Sequence, residues 1–364
     1  MAKKNTITLE DVARHAGISY QTVSRVINNA PHVSEKTKKK VEDAMRELCY
    51  VPNRIAQQLA GRSHITIGVA IAELGSHAPA MVANAIKQQA FQQGVSVVIA
   101  VLQPPYNLKS CREAVNELLS FRVDGLVINV ALNDDDALNI QDMCARMPLI
   151  FLDVNPEINL TNIRFDTRQS TQVSVQHLVE LGHRRIALLN GPFSSISARL
   201  RHEGWLAALA EYGLEPFAIK TGEWSAQSGY EMTMQLLAQS EHPTALLVAS
   251  DQISLGALRA IQEHGLKVPE NISVIGYDDT EDSPYFSPPL TTVKQDFDKL
   301  GTESVNQLMA MIRGESEANG VKKILLPARL IERKTTARVE QQSVTIESLT
   351  QQLRSVLHQL SELK

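Results

Sequence analysis

Short apolar runs alternate with amphipathic stretches through most of the chain, and the pattern changes at both ends. Between residues 63 and 336, seven runs read as buried strands: ITIGVAI (65–71), VSVVIAV (95–101), GLVINV (125–130), LIFLD (149–153), RIALLNG (185–191), ALLVAS (245–250) and ISVIGYD (272–278). Helical periodicity occupies the stretches near 80–93, 109–121, 168–181, 198–212, 226–239 and 251–264. Buried strands alternating with helices predict an α/β body with parallel sheets covered on both faces. About 270 residues with so many repeats predict two doubly wound subdomains rather than one sheet.

The first 62 residues follow a different period. Leu9, Val12, Ala13 and Ala16 share one face of a short helix. Gly17-Ile18-Ser19 follows, with Gly17 supplying the backbone freedom of a tight turn and Ser19 placed to cap a second helix, YQTVSRVIN. In that helix Val23, Val26 and Ile27 point one way, while Tyr20, Gln21, Ser24 and Arg25 point another. Ser34 is placed to cap a third helix, with Val41, Ala44, Met45 and Leu48 inward. Helix, glycine-containing turn and helix with polar residues at its start is the helix-turn-helix pattern. Gln pairs bidentately with adenine and Arg with guanine in the major groove. The alternative is a plain helical hairpin with a solvated polar face. Lys38-Lys39-Lys40 reads equally as a phosphate contact or as a solvated helix face.

Residues 50–62, YVPNRIAQQLAGR, predict a helix of about eight residues, capped by Asn53 after Pro52 and ended by Gly61. Isolated helices below ~12–15 residues are marginal in water, so this one needs a partner. A two-fold mate over DNA, with Leu59 wedged into the minor groove, is one reading, and an ordinary linker is the other. At the far end, Ile346, Leu349, Leu353, Val356, Leu360 and Leu363 step by three and four, the seam of a coiled coil, and Leu357 widens it toward a bundle. A polar stretch, 337–342, sets the 343–364 helix apart, although such a helix can also fold back on its own body.

Charge sharpens this picture. The net charge is only −4, but residues 1–62 hold 11 Lys/Arg against 6 Asp/Glu, leaving 25 against 34 for the rest. A basic head on an acidic body points to a polyanion at the head. Cys49, Cys111 and Cys144 form no C-x-x-C pair, so no zinc site or disulfide framework is signalled. The apolar stretch of a signal peptide and the ~18-residue run of a membrane span are both missing from the sequence, which predicts a soluble cytoplasmic protein with no membrane partner. No G-x-S-x-G, phosphate-loop or H-E-x-x-H pattern occurs, and His77, His177 and His183 have no metal-ligand spacing. The expectation is a non-enzyme with neither metal nor cofactor.

Ligands of doubly wound sheets sit outside the carboxyl ends of the strands. Asn129, Asp153, Ser250 with Asp251, and Asp278 with Asp279 fall there, with Arg201 and Trp224 in or after helical stretches. Carboxylates accept from hydroxyls, Arg donates a fixed fork, and Trp offers an apolar face to a sugar ring. The set suits a neutral polyol, but strand-end Asp residues also serve as helix N-caps.

The stretches TLEDVARHAGISYQTVSRVIN, YVPNRIAQQLAG, GHRRIALLNGP, SARLRHEGW, SDQISLGALRAIQEHG, ISVIGYDDTEDS and PPLTTVKQDF resemble the LacI/GalR family of repressors over nearly the full length. The resemblance implies a helix-turn-helix head (1–49), a hinge (50–62) and a periplasmic-binding-protein-like body (63–336). The body would divide into one subdomain of about 63–165 plus 295–323 and another of about 166–294 plus 324–336. In the head it implies DNA contacts from Thr8, Ser19, Tyr20, Gln21, Thr22, Ser24, Arg25, Asn28 and His32, and in the hinge from Asn53, Gln57, Leu59 and Ala60. For the effector pocket it implies Ala78, Pro79, Asn129, Asp153, Phe165, Ser197, Arg201, Trp224, Ser250, Asp278, Gln295 and Phe297. The heptad tail resembles a tetramerising helix that most of the family lacks, implying a dimer of dimers.

The implied function is repression from a pseudo-palindromic double-stranded operator on the bacterial nucleoid, relieved by a small sugar. A β-galactoside is the first candidate and another sugar the alternative. Family members that govern lactose use carry serine where this chain has Ala72, leucine where it has Ser76 and asparagine where it has Ser250, all at or near the pocket. They carry aspartate where it has Phe91, near a subunit interface.

Overall fold

The computed structural model describes residues 7–27, 30, 32–51, 65–145, 147–315 and 320–339. The contacts expected of Asn28, Asn53, Gln57, Leu59 and Ala60, and the seam of Ile346, Leu349, Leu353, Val356, Leu360 and Leu363, lie outside the described residues. The chain divides into two units, Met1–Ile65 and Thr66–Lys364.

The smaller unit holds α1 (Leu9–Ala16), α2 (Tyr20–Ile27) and α3 (Glu35–Glu47). Thr8 caps α1 in a reciprocal box with Asp11, Gly17 ends it with φ of 62°, and Ser34 caps α3. Ser19 accepts from the Thr22 N–H at 3.1 Å, as its position before α2 predicts. Val12, Ala13, Val23, Val26, Val41 and Ala44 form the core, and Glu47 reaches back to His15 at 2.6 Å. Six small apolar side chains suffice because three short helices each contribute one narrow face.

The larger unit contains two six-stranded sheets. Strands β1 (Thr66–Ile71), β2 (Ser96–Val101), β3 (Gly125–Asn129), β4 (Leu149–Phe151) and β5 (Asn162–Phe165) make the first, in the order β2-β1-β3-β4-β5. Helices α4 (His77–Gln92), α5 (Leu108–Ser120) and α6 (Asp134–Met143) connect them. After β5 the chain crosses to the second subdomain, whose elements run α7 (Thr167–Glu180), β6 (Ile186–Asn190), α8 (Ile196–Glu211), β7 (Ala218–Thr221), α9 (Ala226–Leu237), β8 (Ala245–Val248), α10 (Asp251–Glu263), β9 (Ser273–Asp278) and β10 (Thr291–Lys294). It crosses back to α11 (Phe297–Ile312), which packs on α4, and to β11 (Lys323–Leu326), which pairs parallel with β5. It crosses once more to β12 (Arg329–Ile331), antiparallel to β10. Each subdomain has its own apolar core, and the central strands β1, β4, β6, β8 and β9 are buried on both faces as their apolar runs predict.

The structure moves one expected boundary. The second subdomain was expected to resume at 324, but Lys323–Leu326 pair with Asn162–Phe165 in the first sheet, so the third crossing follows Leu326. The apolar pair Leu325-Leu326 extends the edge of a sheet whose neighbour, β5, is itself a four-residue strand.

Helices α9 and α10 approach closely because both carry glycine at the contact. A β-carbon at Gly256 would overlap the Ala226 carbonyl, and one at Gly229 would overlap the Ile253 carbonyl. Backbone cannot yield as a side-chain end can, so Gly229→Ala should cost about 1–3 kcal/mol of stability by overpacking. Urea unfolding of the variant tests this, and an unchanged midpoint would mean that the helices separate freely.

Candidate functional site

The candidate site is built on Arg201, the sixth residue of α8. Arg201 is 5% exposed. Its Nη1 donates to the Ala249 carbonyl just past β8, and its Nη2 donates to Asp278 Oδ1 and Gln295 Oε1, each at 3.3 Å. It lies over the Tyr277 ring at 3.8 Å from the centroid, with the Trp224 ring at 5.5 Å. The Tyr277 hydroxyl meets Ser170 Oγ at 2.5 Å, which fixes the ring beneath the cation. Trp224 has room only because residue 191 is glycine: a β-carbon there would sit 2.6 Å from the indole. Four expected pocket residues, Arg201, Trp224, Asp278 and Gln295, thus meet at one place.

Two more residues cross the cleft. Ser197, in the first turn of α8, donates to Asp153 Oδ1 at 3.1 Å, and Asp153 lies just past β4 in the other subdomain. Burial pushes the Asp153 carboxyl up, while the Ser197 hydrogen bond and the Arg201 charge pull it down. The influence of Arg201 on Asp153 puts both in one electrostatic environment. On the first subdomain, Phe165 ends β5 and meets Phe297 at the start of α11, edge to face with centroids 5.8 Å apart; His77 meets Phe297 at 6.0 Å. Ala78 and Pro79 lie half-buried in the first turn of α4, and Asn129 ends β3, half-buried.

Two strand-end residues also serve the fold. Ser250 caps α10, its hydroxyl accepting from the Ile253 N–H at 3.2 Å. Asp251, read from sequence as a possible ligand contact, is fully buried and accepts from the Thr280 N–H, the Ser283 hydroxyl and the Thr292 hydroxyl at 2.6–2.9 Å. Its oxygens are spent on the core. Sequence reading also passed over Tyr277 and Gly191; both stood in motifs it quoted, ISVIGYD and LLNGP, but only their tertiary neighbours give them a role.

In the head, Ser19, Tyr20, Gln21 and Arg25 are exposed, with Tyr20 at 52%. Thr22 and Ser24 are half-buried, and His32 is exposed with φ of 66°. The Thr8 hydroxyl is engaged with Asp11 at 2.7 Å and the Ser19 hydroxyl with Thr22 at 2.8 Å. Capping therefore fixes these side chains at the start of α1 and α2, beside the exposed Tyr20, Gln21 and Arg25. Among the described residues no group of His, Cys, Asp and Glu could hold a metal ion, and no helix is long and apolar enough to cross a membrane.

Residues 8–53 match the family model of bacterial regulatory proteins of the lacI family, and residues 175–336 match a periplasmic binding protein-like domain. The chain is 48% identical to the lactose operon repressor of Escherichia coli over 358 residues, 98% of each chain. The chain belongs to the LacI family. It is also 39% identical to the lactose operon repressor of Klebsiella pneumoniae, over 91% of this chain and 93% of that one. Among solved structures, a lac repressor dimer bound to operator and the anti-inducer ONPF matches with a TM-score of 0.85 and 50% identity, over 92% of this chain and all of the other. The matches thus cover the head and the body alike.

Asp278 has an unusual proton. Burial pushes its carboxyl up to about 7 from an ordinary 3.8, with the Arg201 charge pulling down and the Asp251 charge pushing up. Between those values the unfolded chain is ionised while the folded protein keeps the proton. Asp278 therefore stabilises the fold below about pH 4, and that contribution is lost as pH rises to about 7. Asp278→Asn should remove the slope, so the variant gains on the parent from pH 4 to 7.5. Urea unfolding of both proteins across that range tests it, and parallel pH profiles would place the carboxyl at its ordinary value.

Proposed function

We propose that this protein is a sugar-responsive transcriptional repressor, with the lactose operon as its target and a β-galactoside as its inducer. The Asp153–Ser197 hydrogen bond carries the reading. It joins two subdomains beside a buried Arg201, Asp278 and Gln295, so a polyol binding there changes how the subdomains meet. Two heads enter successive major grooves of a pseudo-palindromic operator through α2, with Gln21 and Arg25 reading bases. Sugar and operator are then reciprocally coupled through one two-state body, typically by ~1–3 kcal/mol. Residues 50–62 carry that coupling between head and body. The working form is a dimer of dimers in the bacterial cytoplasm, bound to the nucleoid, its pairs joined by the 343–364 seam. Phe91 and Tyr285, 83% and 85% exposed, support a subunit contact on the body.

A second reading, response to another sugar, is favoured by the wall of the cleft. Ala72 offers no hydroxyl, and the Ser76 hydroxyl donates to Glu73. Fewer unspent donors discriminate less sharply among hydroxyl patterns.

Binding of the purified protein to its own upstream DNA, with and without a panel of sugars, separates the two readings. Gln21→Ala should cost ~1–3 kcal/mol at particular base pairs, and a uniform loss on operator and random DNA would remove it as a reader. Arg201→Ala should leave operator affinity near that of the parent and abolish release by sugar. Full release by galactoside in that variant would displace Arg201 from the effector site.

A further inference from the structure

Asp278 meets Arg201 from a backbone that does not favour it. Its φ is 114° and that of Asp279 is 60°, two consecutive non-glycine residues in the left-handed region. Side chains with a β-carbon stay there only when the surroundings over-determine them. On one side, the Thr280 N–H donates to Asp251 at 2.9 Å. On the other, both oxygens of Asp279 are held: Oδ1 accepts from Arg333 Nη2 at 2.6 Å, and Oδ2 faces Lys294 Nζ at 3.4 Å. The Asp279 side chain is 8% exposed and that of Arg333 16%. Arg333 is itself anchored, donating from Nη1 to the Leu290 carbonyl at 2.8 Å and from its backbone N–H to Thr291 Oγ1 at 3.0 Å. It follows β12 by two residues, in the segment that enters after the third crossing.

We propose that Arg333 is a positioning residue of the effector site: through Asp279 it holds Asp278 in the conformation that meets Arg201, and so ties effector affinity to the segment after the third crossing. The proposal rests on the reading that Arg201 and Asp278 hold the effector. Arg333 touches neither the cleft nor Arg201. Its reach is through one carboxylate, on a residue adjacent to the one that acts. The geometry is bidirectional, because a shift of the segment after β12 moves Asp279 first and Asp278 with it.

Asp279→Gly separates positioning from support of the fold. Glycine accepts φ of 60° without strain, so the fold loses an ion pair but gains backbone ease. Two measurements on the full-length protein decide the matter, with Arg333→Lys as the conservative variant. The Gln295 amide donates to the Asp278 carbonyl at 3.3 Å, so its hydrogen exchange in the sugar-free protein reports how firmly Asp278 is held. Exchange there should accelerate on the order of tenfold in Asp279→Gly, the loss of about one charge-assisted hydrogen bond, and less in Arg333→Lys. Binding of isopropyl β-thiogalactoside, followed by tryptophan fluorescence, should weaken on the order of tenfold in Asp279→Gly and less in Arg333→Lys. Unchanged exchange overturns the proposal, and so does faster exchange with unchanged sugar affinity. If the parent does not bind the galactoside, the galactoside reading fails, and the exchange result alone decides the clamp.

Discussion

A single buried guanidinium organises the effector half of this molecule. Arg201 could not remain charged at 5% exposure without partners, because an unpaired buried charge is far more costly than a paired one. Its partners come from the ends of three neighbouring strands: Ala249 past β8, Asp278 at the end of β9 and Gln295 past β10. Satisfying one side chain therefore gathers three loops and sets the carboxyl end of the second sheet. The aromatic floor follows from the same cation, since Tyr277 lies beneath it and Trp224 beside it. Glycine at 191 is required only because the indole must come this close. Half of the site is consequently formed before any sugar arrives.

The other half comes from the first subdomain. The first subdomain presents an aromatic pair, Phe165 and Phe297, and one carboxylate, Asp153. Three chain crossings join the subdomains, and Asp153–Ser197 is a charged hydrogen bond between them, of a kind worth about 1.5–3 kcal/mol. That is the same order as a typical allosteric coupling energy, ~1–3 kcal/mol. A ligand that strengthens or replaces this one contact has enough leverage to shift a two-state body, and one that ignores it has none.

Most of the body was legible in the sequence because its strands are buried on both faces and read as unbroken apolar runs. All seven runs became strands within two or three residues. The five further strands have no such signature. In β7, Ala218–Thr221, burial alternates with exposure at the sheet edge, and β10 is Thr-Thr-Val-Lys, whose threonines are buried by hydrogen bonds rather than by apolarity. Strand β11 begins with an exposed lysine, so its membership of the first sheet depends on β5, some 160 residues earlier. Edge strands of three or four residues are defined by what they pair with, and local pattern does not carry that.

The site shows the same limit more sharply. Asp251 and Asp278 stand in equivalent places, each at the carboxyl end of an apolar strand of the second sheet, and both were reasonable ligand contacts. One is spent on the core and the other meets the cleft arginine. The difference lies in partners that arrive from far along the chain. Thr280, Ser283 and Thr292 come 29–41 residues after Asp251 and take both its oxygens. Arg201 comes 77 residues before Asp278 and takes one, at 3.3 Å. A carboxylate has two oxygens and about four acceptor positions. Whether any remain for a ligand is a sum over the tertiary structure: at Asp278 one oxygen is left over, while at Asp251 both oxygens are engaged. Residue type and strand-end position thus nominate a binding carboxylate, and unspent acceptor capacity selects it.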